Sequence, residues 1–357
     1  MGYSPFRPTG VTHHEPGRAF AGYTVYATNW GAAAYAVDME GRVVHTWPAP
    51  NGWRTLYAHL LPTGNLLMRC MTDAQPWRLG GASAELLELD WDGKVVWRYS
   101  NPGLHHDHCR LPNGNTLLLL WEPLPKPVSR RVKGGVPGSE LEGGVMLGDT
   151  LLEVDAAGRE VWRFPLRQAL DFALDRICPL EARHEWTHAN AVSVVPGGRI
   201  LLSFRYTDTI ALLDRTTGTF TWRYGPGVLS HQHDPSWLPN GHILVFNNGE
   251  HRLKAIPHSS VMEIDPATNA VVWEYKGSPE ISFSSPTISG AQRLPNGNTL
   301  ITEGRPGRLF EVTPDKDIVW EYNNPHVFDT RTEKNGALIF RARRYAADGP
   351  ELRGRLP

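Results

Sequence analysis

The chain has 357 residues, of which 41% are hydrophobic and 20% charged, and its 36 basic and 37 acidic residues leave a formal net charge of −1. That balance excludes a general nucleic-acid or anionic-membrane surface, and no run reaches the roughly 18 apolar residues of a membrane-spanning helix. The 13 Trp, 29 Pro and 35 Gly suit a turn-rich β protein with ample size for a buried core.

Residues 1–21 form an N-terminal extension. They hold no basic segment followed by an apolar one, so no signal peptide is predicted, and the chain as given reads as cytoplasmic. From residue 22 two phrases alternate. The first is acid, turn, apolar residues, Trp, at Asp38 to Trp47, Asp90 to Trp97, Asp155 to Trp162, Asp214 to Trp222, Asp265 to Trp273 and Thr313 to Trp320. The second is a turn of the LPNGN type at 61–65, 111–115, 195–199, 238–242 and 294–298, with a worn copy at 333–337. Asn-Gly between β-rich runs is a strong hairpin signal, because both residues tolerate positive φ. Two hairpins per repeat of about 40–60 residues make a four-stranded propeller blade. Six such phrases predict an all-β, six-bladed β-propeller over 22–345, with 346–357 as a tail.

The chain starts with a Trp hairpin that lacks a preceding turn hairpin. It ends, from Ala337 to Tyr345, with a strand that lacks a following Trp hairpin. One blade is therefore expected to form from both termini, which closes the ring and removes exposed sheet edges. The Trp series is expected to pack between blades. Cys70, Cys109 and Cys178 match no zinc motif, and the first two read as thiols in strands. Two insertions interrupt the repeat. Residues 122–148, rich in Pro, Gly and basic residues, read as a lid loop over the channel, and 165–187 carry a short amphipathic helical pattern (Leu170, Phe172, Ala173, Leu174, Ile177).

The strand before each LPNGN turn is the candidate for the innermost strand of its blade. Counting back six residues from the turn's Pro position gives Leu56, His106, Asn190, His233, Ser289 and Phe328. Three of these can bind anions or move protons, and they fall in consecutive blades. Alternation places His188 on the same side as Asn190, and Arg205 follows in the next strand. The surrounding text is rich in histidine: His105, His106 and His108; His184, Glu185 and His188; His231 and His233. Arg offers a permanent charge and a planar donor fork for a tetrahedral oxyanion. Neutral His can act as nucleophile or donor. Neither a GxSxG elbow nor a phosphate-binding glycine loop occurs. The set suits transfer of an anionic group. Metal binding is the competing reading, with His106, His108, His231 and His233 as ligands of a divalent ion in two HxH pairs.

The segments HHDHCRLPNGNTLLL, EWTHANAVSVVPGGRILLSFRYTDTI and WRYGPGVLSHQHDPSWLPNGHILVFNNG resemble the bacterial arylsulfate sulfotransferase family over about 30–325. The resemblance implies a six-bladed propeller that moves a sulfuryl group from an aryl sulfate ester to a phenolic acceptor. No nucleotide donor or cofactor takes part. It implies that His233 is transiently sulfated, and that His188 and Arg205 hold sulfuryl oxygens and assist the leaving group. Asn190 becomes the neighbouring contact and His106 a further sulfate-binding residue, with His105 the alternative by a one-residue slip. The family's later Lys-Thr contact has no clear counterpart, and Arg305 lies in roughly that blade. The N-terminal β-rich domain, secretion signal and disulfide of periplasmic members are not evident. Trp53, Trp121, Trp186 and Phe283 are candidates for an aromatic wall around a ring substrate. Two other readings stand beside this one: a metal-dependent lyase or hydrolase, and a non-catalytic interaction propeller.

Overall fold

A computed structural model of the chain describes residues 8–252, 255–328 and 336–356. It contains six four-stranded antiparallel blades of a β-propeller. From innermost to outermost strand, the first blade is Ile339–Tyr345, Tyr23–Thr28, Ala33–Val37 and Val43–Pro48. The second is Arg54–Leu60, Leu66–Met71, Glu85–Leu89 and Val95–Ser100, and the third Leu104–Arg110, Thr116–Pro123, Leu147–Val154 and Glu160–Pro165. The fourth is Ala189–Val194, Ile200–Phe204, Thr209–Asp214 and Thr219–Tyr224. The fifth is His233–Trp237, Ile243–Asn247, Ser260–Asp265 and Ala270–Lys276, and the sixth Gly290–Arg293, Thr299–Glu303, Arg308–Val312 and Ile318–Asn323. The first blade joins both ends of the chain as expected, with Tyr23 opposite Tyr345 and Thr28 opposite Ile339. Part of the extension adds a strand: Gly10–His14 pairs with the outer strand of the sixth blade. Most of the worn turn at 333–337 lies outside the described residues.

Side-chain chemistry explains why these phrases turn. In the acid turns the carboxylate accepts backbone N–H groups two to four residues on. Asp38 Oδ1 takes Glu40 at 3.0 Å and Arg42 at 2.9 Å, and Asp155 Oδ1 takes Ala157 and Arg159, both at 2.9 Å. Four of the Trp that end these phrases meet the acid turn of the following blade. The Trp47 ring packs edge-on against Trp91 at 5.3 Å, the Arg215 guanidinium covers Trp162 at 4.3 Å, and the indole N–H groups of Trp222 and Trp320 donate to Asn269 Oδ1 (2.8 Å) and the Met39 carbonyl (2.9 Å). In the LPNGN turns the last Asn binds a Glu of its own blade, Asn115 to Glu153 and Asn298 to Glu311, both at 2.6 Å. The phrase thus fixes a turn and a neighbouring strand at once.

The chain divides into two compact halves. One comprises the chain through Gln75, Ser83–Pro102 and the segment from Tyr275 onward, and the other Pro76–Ala82 with Gly103–Glu274. The second half holds the third and fourth blades, nearly all of the fifth, and both insertions. Its core gathers Leu117, Leu151, Trp186, Leu202, Phe204 and Leu213. The insertions pair with each other: Gly134–Val136 runs parallel to Ile177–Ala182. The helix expected in 165–187 is replaced by a 3-10 turn at Leu166–Gln168, a turn, and that strand. The reason is local. Asp171 Oδ1 accepts the N–H groups of Ala173 (2.6 Å) and Leu174 (3.0 Å), an alternative to helical bonding. Leu174 is left 69% exposed, outside any apolar face. Arg183 pins the paired insertions through Glu140 Oε1 (2.6 Å) and the carbonyls of Gly134 and Val132.

Candidate active site

The innermost strands of the third, fourth and fifth blades pack side by side in the second half. Each is irregular where the histidines sit. His108 faces Leu118 and Leu104 faces Leu120, so His105, His106 and Asp107 oppose Leu119 alone. Asn190 is the extra residue between Ala189 and Ala191, and Asp234 and Pro235 oppose Val245. Such bulges re-aim side chains. His106 (φ 48°), His188 (φ 53°) and His231 (φ 58°) also adopt left-handed backbone. Simple alternation therefore does not relate His188 to Asn190, nor the members of the two HxH pairs.

His105, His106, Trp121, Glu185, His188 and Tyr206 form one buried group. The His105 ring stacks on Trp121 at 4.3 Å, and its Nδ1 lies 2.9 Å from His106 Nδ1. The His106 ring meets the His188 ring edge-on at 4.4 Å, and His188 stacks on Tyr206 at 4.7 Å. Glu185 holds these parts together. Its Oε2 accepts the Trp121 indole N–H at 2.9 Å, and its Oε1 lies 2.7 Å from His188 Nδ1 and 3.2 Å from His184 Nε2. Burial alone would favour its neutral form, but His188 and His184 outweigh burial and hold the carboxyl well below its usual range. Gly81 closes over His106: a Cβ there would run into the imidazole.

Asp149 lies behind His105, its Oδ1 3.4 Å from His105 Nε2. Its Oδ2 accepts the Thr187 hydroxyl and, at 3.1 Å, the Ala189 N–H. Burial, with the nearby charge of Glu185, pushes its pKa up to about 7 despite those two donors.

Arg205 donates from Nη1 to Glu181 Oε1 at 2.7 Å and is 8% exposed. The same carboxylate oxygen lies 3.0 Å from His231 Nε2, and His231 Nδ1 lies 3.1 Å from Asp208. Burial works against charge on Glu181, yet His231 and Arg205 bring its pKa down to about 2. Burial likewise opposes charge on His231, and its bonds to Asp208, Cys178 and Glu181 overcome this and push it up to about 10.

His233 opens the fifth blade and is 2% exposed. Its Nδ1 lies 2.7 Å from Asn248 Oδ1 and 3.1 Å from the His231 carbonyl. A carbonyl only accepts, so Nδ1 carries the proton and neutral His233 has its lone pair on Nε2. The preceding residue is anchored from three directions: Gln232 Nε2 donates to Ser203 Oγ, Phe204 O and Thr209 O, and its own carbonyl accepts Asn190 Nδ2 at 2.8 Å.

The structure thus joins His105, His106, His188 and Trp121 directly, and adds Arg205 through Tyr206, whose ring lies 5.4 Å from the guanidinium. Asn190 touches the segment that carries His233. His108 is buried on its strand. Trp186 departs from the expected aromatic wall: it stacks on Phe172 at 4.9 Å in the core, and its indole N–H is satisfied by the Asp175 carbonyl at 2.6 Å. Arg305 belongs to the other half, where its N–H donates to Ser285 Oγ at 2.9 Å. The four histidines proposed as metal ligands do not form a ligand group among the described residues. The group that does is Cys178, His231 and His251. Asp149, Glu181, Tyr206, Asn248 and His251 were not picked out from sequence, and Glu185 was read only as part of a His-rich stretch. The three-residue spacing of Glu185 and His188 was the one local hint.

The second half thus brings several histidines close to one arginine, the buried Glu185 and the partly buried Glu181. Models of the arylsulfotransferase (ASST) family match residues 21–229 and 178–325. The chain belongs to the arylsulfotransferase family, which makes it arylsulfotransferase-like in general function. A search of curated proteins finds no match. Among solved structures, a Bacteroides caccae protein of unknown function is similar at 14% identity with a TM-score of 0.57, over 90% of this chain and 98% of that one. A streptogramin B lyase is 13% identical, with a TM-score of 0.48 over 91% and 84% of the two chains. Virginiamycin B lyase from Staphylococcus aureus is 10% identical, with a TM-score of 0.46 over 89% and 85%. The first of these likenesses is one of fold. No helix among the described residues is long and apolar enough to cross a membrane.

Proposed function

We propose that the protein transfers a sulfuryl group from an aryl sulfate ester to a phenol through a sulfated His233. The observation that carries this reading is the pair of oxygen contacts at His233 Nδ1. Its Nδ1 proton faces the His231 carbonyl and Asn248 Oδ1, so the nucleophilic lone pair is on Nε2. In the first half-reaction Nε2 attacks sulfur, an N–S bond forms, and the S–O bond to the phenol breaks. The electron pair leaves with the phenolate oxygen, which takes a proton from His188 or His106. Phenols titrate near ~10, so such an acid eases departure at neutral pH. The acceptor phenol then returns a proton to that same histidine and attacks the sulfur; a new S–O bond forms, the N–S bond breaks, and its electron pair returns His233 to its neutral form.

Arg205 has five N–H donors and gives one to Glu181, so its guanidinium has donors to offer the sulfuryl oxygens. Glu185 would keep His188 oriented and Trp121 would support His105. Intact-mass analysis after incubation with a chromogenic aryl sulfate tests the scheme. A gain of one SO₃ mapped to His233, lost in His233→Ala, is expected. A folded enzyme that turns over the ester without modifying His233 would sink it.

A further inference from the structure

We infer that Cys178, His231 and His251 form a binding site for a zinc-class divalent metal ion beside the anion pocket. The inference does not depend on sulfuryl transfer. One ligand atom from each of these three residues lies within 4.8 Å of the other two, and Cys178 Sγ is 3.4 Å from His251 Nδ1. Tetrahedral zinc, with bonds of about 2.3 Å to sulfur and about 2.05 Å to nitrogen, sets these two donor types about 3.5 Å apart. The His231 and His251 rings meet edge-on with centroids 4.6 Å apart. One thiol and two imidazoles are a donor set that favours zinc over magnesium or calcium.

The three donors come from separate segments, each held independently. Cys178 lies on the strand Ile177–Ala182, whose first N–H donates to the Lys133 carbonyl at 2.9 Å. His251 lies in a loop stitched to the residue before His231: Gly249 N–H donates to the Ser230 carbonyl at 2.8 Å, Ser230 N–H donates to Asn247 Oδ1 at 2.8 Å, and the Ser230 hydroxyl bonds the Glu250 carbonyl. Gly249 is required there, because φ is +71° and a Cβ would run into the His258 carbonyl oxygen. His231 and His251 are thereby fixed relative to each other without help from an ion.

The outer shell also fits. Metal-bound imidazoles ordinarily give their second nitrogen to a carboxylate. His231 has one on each side, Asp208 at 3.1 Å from Nδ1 and Glu181 at 3.0 Å from Nε2. Without an ion His231 keeps both ring protons between these carboxylates; an ion at one nitrogen displaces that proton to solvent and leaves the other on its carboxylate. Three protein ligands leave a fourth position for water or a substrate atom, the pattern of catalytic rather than structural zinc. Cys178 and His251 are partly exposed, which gives an entry path. Glu181 links this group to Arg205, so the ion would add positive charge next to the guanidinium.

The test uses the full chain, stripped with a chelator and then given Zn²⁺ or Co²⁺. The expected result is one zinc per chain retained through gel filtration. With Co²⁺, a thiolate-to-metal charge-transfer band should appear. Cys178→Ser should abolish that band, and His251→Asn should weaken binding by about ten-fold or more. Cys109→Ser should bind as the parent does. His231 is buried, and its replacement risks misfolding, so the two partly exposed ligands carry the test. Sub-stoichiometric metal in the parent, or a cobalt band that survives Cys178→Ser, would overturn the site. Neither readout involves turnover, so failure here is distinguishable from failure of the sulfo-histidine scheme.

Discussion

Replacing Asp149 by Asn should make the protein more stable above neutral pH and leave it unchanged in acid. An Asp in an unfolded chain titrates near 3.8, whereas folded Asp149 is pushed up to about 7 by burial and by Glu185. Below pH ~4 the carboxyl is protonated in both states and contributes no difference. Between ~4 and ~7 the unfolded chain has released a proton that the native state keeps, so wild-type stability falls as pH rises, by ~1.4 kcal/mol per pH unit. Above ~7 both states are ionised and the deficit stays constant. The gap between 3.8 and about 7 converts to ~4 kcal/mol. Asn retains a carbonyl oxygen for the Thr187 hydroxyl and the Ala189 N–H, so the present bonds survive. Unfolding entropy for a chain of 357 residues is roughly 0.75 kcal/mol per kelvin, so the gain is about 5 °C in Tm. Thermal or urea unfolding of both proteins from pH 4 to pH 9 gives the difference curve, in which pH effects common to both cancel. A difference that is flat with pH, or that favours wild type in base, would refute the account of Asp149.

Two further outcomes follow from the same contacts. Arg205→Lys should lower kcat for aryl sulfate turnover by about 10²-fold or more with melting little changed, because an ammonium cannot present the planar fork to a tetrahedral anion; steady-state kinetics with a chromogenic ester checks this. Glu185→Ala should cost roughly 3–5 kcal/mol of stability, since it leaves the Trp121 N–H at 2.9 Å and the His188 Nδ1 at 2.7 Å without their buried carboxylate; urea unfolding at neutral pH measures it.

Much of the fold was legible because its signals are local. An Asn-Gly turn or an Asp that captures its own following N–H groups acts within five residues, and Trp47, Trp162, Trp222 and Trp320 each meet a turn of that recurring kind. Of the candidate residues, His106, Asn190 and His233 were singled out by their fixed offset from those turns, and His188 and Arg205 by their nearness to Asn190 and its turn. The carboxylates that orient them were not. Glu181 stands on Ile177–Ala182, which pairs in parallel with Gly134–Val136, and Glu185 is bridged to Leu147; neither contact follows the period. Cys178 and His251 share that obscurity, since 73 residues separate them in the chain. The apolar spacing of 165–187 suggested a helix, and one aspartate's preference for nearby N–H groups decided otherwise.

The irregular inner strands do not by themselves mark a functional site. In the second blade Leu56 is also an extra residue, between Thr55 opposite Cys70 and Tyr57 opposite Arg69. It packs with Tyr57, Met71 and Phe340 in an apolar cluster and has no chemistry to perform. The irregularity therefore recurs without chemistry, and its effect is to turn side chains of the inner strand out of the regular alternation in the first five blades. Function enters through what occupies that position and what buries against it. In the third and fourth blades histidines stand at or beside it, and paired insertions bring up the glutamates that fix their orientation. A repeat whose inner strands are irregular in five of six blades can thus carry one asymmetric site, because the insertions occur in only one stretch of the chain.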